Sequence, residues 1–344
     1  MPNPRHAFIS AYLKGEESKV VTPEHIDKMP TASNIQDALA IIRETDVGSY
    51  LEGLPVKAFG DLDEYLWKYF AQRVRDVESF KFLPKDIPKV SRAYIVKYDV
   101  SNIKAALQSI STGKKARMIP VGIIHDNGLL DELSRVEDTD DITQLLIKCK
   151  LGDYASVLKE YKINGGAKSK LLVEAKLDGE YYKNLLNMTR GIKDGSVLSK
   201  AFGLVIDLTN LQIASRAIIE GIGSDAAECT IAGGYLVTER AIKDLLSFTL
   251  LDMPRRLEDT QYSDIANEVS SSYDRTKSIT AVEEIIDKHK FRLLKEMLSP
   301  RVLSPLVMAW YLILKEVEIR NLRLILKAIA DSVPLEGIKD YLIF

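Results

Sequence analysis

Three stretches of the 344-residue sequence carry an acid, two further residues, and then an asparagine followed by Ile or Leu: Asp99 with Asn102, Asp207 with Asn210, and Glu318 with Asn321. A carboxylate can carry a proton or bind a cation, and a primary amide both donates and accepts hydrogen bonds. The spacing places each pair on one face of a helix. Around each asparagine a stripe recurs at intervals of three and four: Ile95, Tyr98, Asn102, Ala105; Gly203, Ile206, Asn210, Ile213; Leu314, Val317, Asn321, Leu324. Such a stripe reads as the buried seam of a helix with Asn as its one polar member. A slipped register would strand the amide at a cost of ~1–3 kcal/mol, so the expected role is structural, not catalytic.

Other chemistry-bearing patterns read as non-catalytic. Gly165–Ser169 lacks the glycine that a phosphate loop needs directly before its lysine, since Ala167 stands there, and is read as a basic loop tip. Gly221–Ala226 satisfies the dinucleotide fingerprint in form but follows a long helix instead of a strand, so a helix-ending glycine is expected. The four histidines are scattered, and none has metal-ligand spacing. His289 falls on an apolar stripe and is expected to be packed. The acidic run Glu137–Asp141 and the pair Asp61 and Asp63 read as solvated or helix-start charges, which the helix dipole favours. No cofactor and no metal are expected.

Bulk composition excludes further classes. With 47 Lys and Arg against 49 Asp and Glu, the chain has no basic field for nucleic acid, and with 46% hydrophobic residues it should fold as a globular protein. Cys149 and Cys229 are the only cysteines and lie in no CxxC, which argues against a disulfide framework or a zinc site. The start has no signal-peptide core. No stretch approaches ~20 uninterrupted apolar residues, the longest apolar-rich one ending at Lys315 and Glu316. The expectation is no direct insertion in a membrane.

The elements that must position the seams are helices. Leu62, Tyr65, Leu66, Tyr69, Phe70, Val74 and Val77 define one amphipathic helix. Val282, Ile285, Ile286, His289, Leu293, Leu294 and Met297 define another, opened by a Thr280–Glu283 capping box and stopped at Ser299–Pro300. Asn127–Gly128 leads into LLDEL, another helix, and strand signals are scarce. Loops are expected at Leu83–Pro88, Thr112–Lys115, Asn164–Ser169 and Gly221–Ser224.

The asparagines lie 108 and 111 positions apart, close to a third of the chain. A second echo precedes each seam, in RETDVGSYL from Arg43, KLGDYASVL from Lys150 and EDTQYSDIA from Glu258, and Pro or Gly breaks follow. The expectation is an all-α protein of three similar helical subdomains, residues 1–128, 129–240 and 241–344. Solenoid repeats are far shorter, so a linear scaffold is the weaker alternative, and no local motif advertises an enzyme cleft. Lys114, Lys115, Arg117, Arg255 and Arg256 fall between helices, where a partner's acidic or polar loops could meet them; plain solvated surface is the competing reading.

The three D-x-x-N-[IL]-type seams, the T-D-x-G-x-x-L and T-x-Y-x-x-I echoes, the tail KEVEIRNLRLILKAI and the opening AYLKGEESKVVTPEHIDKM resemble the family of C subunits of archaeal-type (A-type) ATP synthases, itself similar to the d subunit of the vacuolar ATPase. The resemblance spans essentially the whole chain. It departs at Val47, where an aromatic is more typical, and at Cys149-Lys150-Leu151, where the threonine of the echo is missing. It implies a pseudo-threefold funnel on the cytoplasmic side of the membrane, seated on the proteolipid ring and receiving the central shaft subunits of the D and F type. The implied work is transmission of torque for proton or sodium transport, without bond making.

Overall fold

The structure, a computed structural model, describes residues 4–163 and 170–344. All regular secondary structure among the described residues is helical, so the class is all-α. The Asn164–Ser169 loop expected from the sequence, with its phosphate-loop-like glycines, lies outside the described residues.

The first amphipathic helix runs Phe59–Glu78 and buries Leu62, Leu66, Tyr69, Phe70, Val74 and Val77. Asp61 accepts the backbone N–H groups of Lys57 and Ala58 at 3.0 and 3.1 Å, satisfying donors that a helix start leaves unpaired. The second runs Ile279–Leu298 and stops at Ser299–Pro300. Its start corrects the capping-box reading: Lys277, at φ 51, ends the preceding helix, and the Ser278 hydroxyl accepts the Ala281 N–H at 3.3 Å. Thr280 thus lies inside the first turn, and Glu283 pairs with Arg216 instead. The loop expected at Leu83–Pro88 is also shorter, because the helix Asp86–Thr112 begins within it. Pro88 sits in the first turn, where its missing N–H would have had no intrahelical partner. Gly221, at φ 66, caps the end of the helix Gly195–Glu220, which disposes of the dinucleotide reading.

The chain forms two compact units. One comprises the chain up to Tyr98 with Ile119–Asp126 and Leu298–Phe344; the other comprises Asp99–Met118 and Asn127–Met297. At the centre of the first, the helix Leu306–Ala330 packs against Phe59–Glu78, Pro4–Glu17 and Ile35–Ile41. Trp67, Phe70 and Tyr98 meet there ring edge to ring face, with centroids 5.3 to 6.3 Å apart. In the second unit the helix Gly195–Glu220 packs against Lys170–Thr189 and Glu239–Leu245. Its Leu204, Leu208 and Leu211 share a core with Ile242, Leu245, Met253, Ile265, Val282 and Ile286.

Both central helices are apolar nearly all round because both are buried on more than one side. Gly195–Glu220 is long and apolar enough to cross a bilayer by length and composition. Most of its apolar window is covered by protein, and it carries Asp207 and Asn210 inside.

Candidate functional site in the buried seams

All six seam residues are buried: Asp99, Asn102, Asp207, Asn210, Glu318 and Asn321. The stripe expected in the third copy is offset, however. Leu314, Val317 and Leu324 are only half-buried, while Lys315, Glu318, Leu322 and Ile325 are fully packed, because Leu306–Ala330 meets neighbours on several faces.

Asn210 and Asn321 make the same pair of bonds. The Asn210 amide donates to the Ile231 carbonyl at 2.8 Å and accepts the Ile231 N–H at 2.8 Å. The Asn321 amide donates to the Ile343 carbonyl at 2.7 Å and accepts the Ile343 N–H at 3.1 Å. Each asparagine therefore acts as a surrogate strand partner for one residue of irregular chain some twenty positions downstream. Buried backbone away from a helix needs such a partner.

The acids hold a different segment. Asp207 accepts the N–H groups of Leu236 and Val237 at 2.7 and 3.1 Å, immediately before Thr238 caps the helix Glu239–Leu245. Glu318 accepts the N–H of Val21 at 2.7 Å, immediately before Thr22 opens the helix Pro23–Lys28. LVTER and VVTPE are thus the same device, a carboxylate anchoring the entry to a threonine-led helix. Gly234 makes room for it: a Cβ there would lie 2.1 Å from the Asp207 carboxylate and 2.9 Å from the Val237 carbonyl.

For Asp207 the remaining partner comes from the echo that follows its seam. Tyr262, fifth residue of its echo, donates its hydroxyl to Asp207 at 2.7 Å across 55 positions. Tyr154 has the same place in the preceding echo and the same separation from Asp99, whose charge acts on it. Burial, then Asp99, pushes up the thiol pKa of Cys149. The remaining echo has Val47 there and offers no hydroxyl. In that unit Lys315, 0% exposed, donates to Glu318 at 3.0 Å and to the Tyr69 hydroxyl at 2.6 Å. Tyr69 donates in turn to Asp46 at 2.7 Å, and Arg73 closes the network on Asp46 at 3.1 Å. A buried cation thus stands where the Asp207 copy uses a phenol. In the sequence Lys315 reads only as the polar end of an apolar run; its spacing of three from Glu318, set beside the departure at Val47, is the signal that could have found it.

These surroundings set the carboxyl pKa values. Burial raises that of Asp207 above the ordinary range, against the opposing hydrogen bonds of Tyr262, Leu236 and Val237. Burial raises that of Glu318 as well, against Lys315 and the Val21 N–H. Burial first, and the neighbouring carboxylates after it, drive the Tyr69 phenol far above its ordinary value.

The echo's Thr-Asp-Val-Gly has its own physical reason. Thr45 accepts the Gly48 N–H at 3.1 Å to start the helix Asp46–Leu51, and a Cβ on Gly48 would fall 1.9 Å from the Ile42 carbonyl.

The cations singled out from the sequence are not gathered into one site. Lys114, Lys115 and Arg117 are exposed in the irregular segment after Thr112. Arg255 and Arg256 lie within the short helix Met253–Leu257 instead of between helices; Pro254 fits its first turn. Arg256 is engaged already, pairing with Asp244 at 3.2 Å and stacking 3.6 Å from the Phe248 ring centre. His289 is buried between Glu268 and Arg292, each at 2.7 Å. Asp138 caps the helix Thr139–Lys148, and Asp63, contrary to the solvated reading, is buried and paired with Arg323. No group of three His, Cys, Asp or Glu placed to hold a metal occurs among the described residues.

The family model described as ATP synthase (C/AC39) subunit matches residues 9–341. The chain belongs to that family. It is 24% identical to the A-type ATP synthase C subunit of Methanocaldococcus jannaschii, over 98% of this chain and 86% of that protein. It is 25% identical to the A-type ATP synthase C subunit of Methanobrevibacter smithii, over 93% and 83%. With the corresponding protein of Thermococcus kodakarensis it shares 24%, over 98% and 90%. In this C/AC39 family member the two seams whose bonds are described are spent on holding chain crossings, which leaves their acids and amides no access to a substrate.

Proposed function

We propose that the chain is a non-catalytic central-stalk subunit of an A-type rotary ATPase, part of the rotor that joins the shaft to the membrane ring. The observation that carries this is the family relation across residues 9–341, with relatives aligned over most of both chains. The seam acids support it: Asp207 and Glu318 are consumed by internal anchoring, as suits a part that transmits force.

On this reading residues 1–128, 129–240 and 241–344 are three related helical repeats arranged as a pseudo-threefold funnel on the cytoplasmic side. The proteolipid ring lies beneath, and shaft subunits of the D and F type enter above. The recurring offset from Asp99 to Tyr154 and from Asp207 to Tyr262 supports the repeat, and Glu318 with Val21 supports its closure. Lys114, Lys115, Arg117 and Arg255 are then surface cations for neighbouring subunits, with Arg256 positioning the short helix that presents Arg255.

The test is purification from native membranes in gentle detergent through a tag on this chain. Shaft and proteolipid subunits should elute with it in fixed proportion. A chain recovered alone from the soluble fraction would overturn the reading in favour of a free-standing helical scaffold.

A further inference from the structure

The N-terminal helix Pro4–Glu17 and the turn after Phe59–Glu78 enclose a cavity of about 410 Å³. Its walls are apolar, formed by Pro4, Phe8, Ile9, Phe80, Phe82 and Leu83, with the side chains of Arg5 and Lys81 as the polar members. Phe8 is 55% exposed and Phe82 72% exposed, a large apolar surface left in water on one side of the first unit. Scattered exposed apolar residues need no explanation, but two phenylalanines flanking one cavity form a contiguous patch, and such patches mark contact sites.

One wall is fixed in advance. Phe80 is held edge to face by Phe8 at 5.2 Å and by Tyr12 at 4.8 Å, so that ring needs little ordering on binding. The Arg5 guanidinium lies 5.8 Å from the Phe82 ring centre, which keeps a positive charge at the cavity wall. Lys81 and Lys85 are exposed on the same turn, and no carboxylate lines the cavity among the described residues. The walls offer no convergent set of polar groups that would orient a small polar ligand. A concave apolar floor under a positive rim suits an apolar anchor carried beside negative charge.

We propose that this groove seats a Phe or Leu side chain borne on an acidic segment of a partner protein, with Lys81 and Lys85 facing its carboxylates. The proposal stands on the groove alone and does not need the rotor reading. An anionic bilayer shares the charge complementarity, but a flat surface does not fill a cavity between a helix and a turn, so a protein segment is the occupant the shape selects.

The probes are three fluorescein-labelled helical peptides with Leu and Phe on one face, carrying Glu, Lys or Gln on the other, and phosphatidylcholine–phosphatidylserine vesicles. They are titrated against the full-length chain by anisotropy and by flotation. The Glu peptide should bind, more tightly at low salt, and more tightly than the Gln or Lys peptide. Phe82→Ser should weaken it about tenfold or more, as loss of a central aromatic does. Lys81→Glu should weaken the Glu peptide and leave the Gln peptide unchanged. Both residues are exposed, so circular dichroism of each variant should match the wild type. The proposal is overturned if the Glu peptide fails to bind, if Phe82→Ser binds it equally, if the Lys peptide binds as well, or if only vesicles bind.

Discussion

The Glu318 carboxylate accepts the backbone N–H of Val21 at 2.7 Å, joining two residues 297 positions apart. One turn further along the same helix, Asn321 clamps Ile343. Residues near the two ends of the chain are thus fastened to the helix Leu306–Ala330 by the same two residue types that fasten Leu236, Val237 and Ile231 to Gly195–Glu220. The expected consequences can be measured.

Replacing Asn210 by Leu removes both bonds to Ile231 and leaves a buried N–H and carbonyl without partners. The cost should be about 2 kcal/mol or more, from a penalty of ~1–3 kcal/mol per stranded group. Urea unfolding should show a lowered midpoint while helix content by circular dichroism is retained. An unmoved midpoint would remove the seam role of Asn210.

Lys315→Met leaves the buried Glu318 without its cation and should cost ~3–5 kcal/mol. If a phenol and a buried lysine are alternative solutions, the triple change Val47→Tyr, Lys315→Met and Glu318→Asp should recover much of the loss. No recovery, in a variant that still folds, would mean that the Tyr69–Asp46 branch of the network is indispensable.

Stability should depend on pH with a sign set by the raised carboxyls. A folded pKa above the unfolded value means that the folded state holds more protons in the interval between the two. This contribution to stability therefore falls as pH rises through that interval and is largest below it. Asp207→Asn should flatten the slope of unfolding free energy against pH just above the ordinary carboxylate range. A slope identical to the wild type would show that Asp207 does not titrate there.

Two glycines should respond to alanine in opposite directions. Gly234→Ala drives a Cβ into Asp207 and the Val237 carbonyl and should cost ~1–3 kcal/mol. Gly179→Ala, inside Lys170–Thr189 with open space around it, should stabilise by up to about 1 kcal/mol. Thermal melts of the pair decide it, and equal shifts would contradict the geometry.

Charge reversal at Lys114, Lys115 and Arg255 should weaken assembly with the other rotor subunits, more at low salt than at high, since exposed charges are screened. Arg256 is a poor choice for this test because its contacts with Asp244 and Phe248 are internal. Assembly unchanged in low salt would leave these cations as solvated surface.

The helical class and both amphipathic helices are legible in the sequence because periodicity reports burial on a single face, as it does from Leu62 to Val77. Where a helix is covered on several sides, periodicity fades, and the stripe through Leu314 and Val317 is off-centre for that reason. The spacing of acid and asparagine points to six buried positions but not to their partners. Ile231, Ile343 and Val21 bond through the backbone, and a backbone N–H or carbonyl leaves no mark on residue type. Lys315 is not legible because a lysine reads as solvent-facing unless its counter-charges are known, and Tyr69 and Asp46 come from helices more than two hundred positions away. Ser278 displaces Thr280 as cap because the backbone reverses at Lys277, a left-handed residue that nothing in its type announces.

Val21 and Ile343 are both tied to Leu306–Ala330 within a single turn, so one helix holds two crossings that lie far apart in sequence. Tension drawn between Val21 and Ile343 is borne by the short span from Glu318 to Asn321, which makes it the mechanical keystone of its unit.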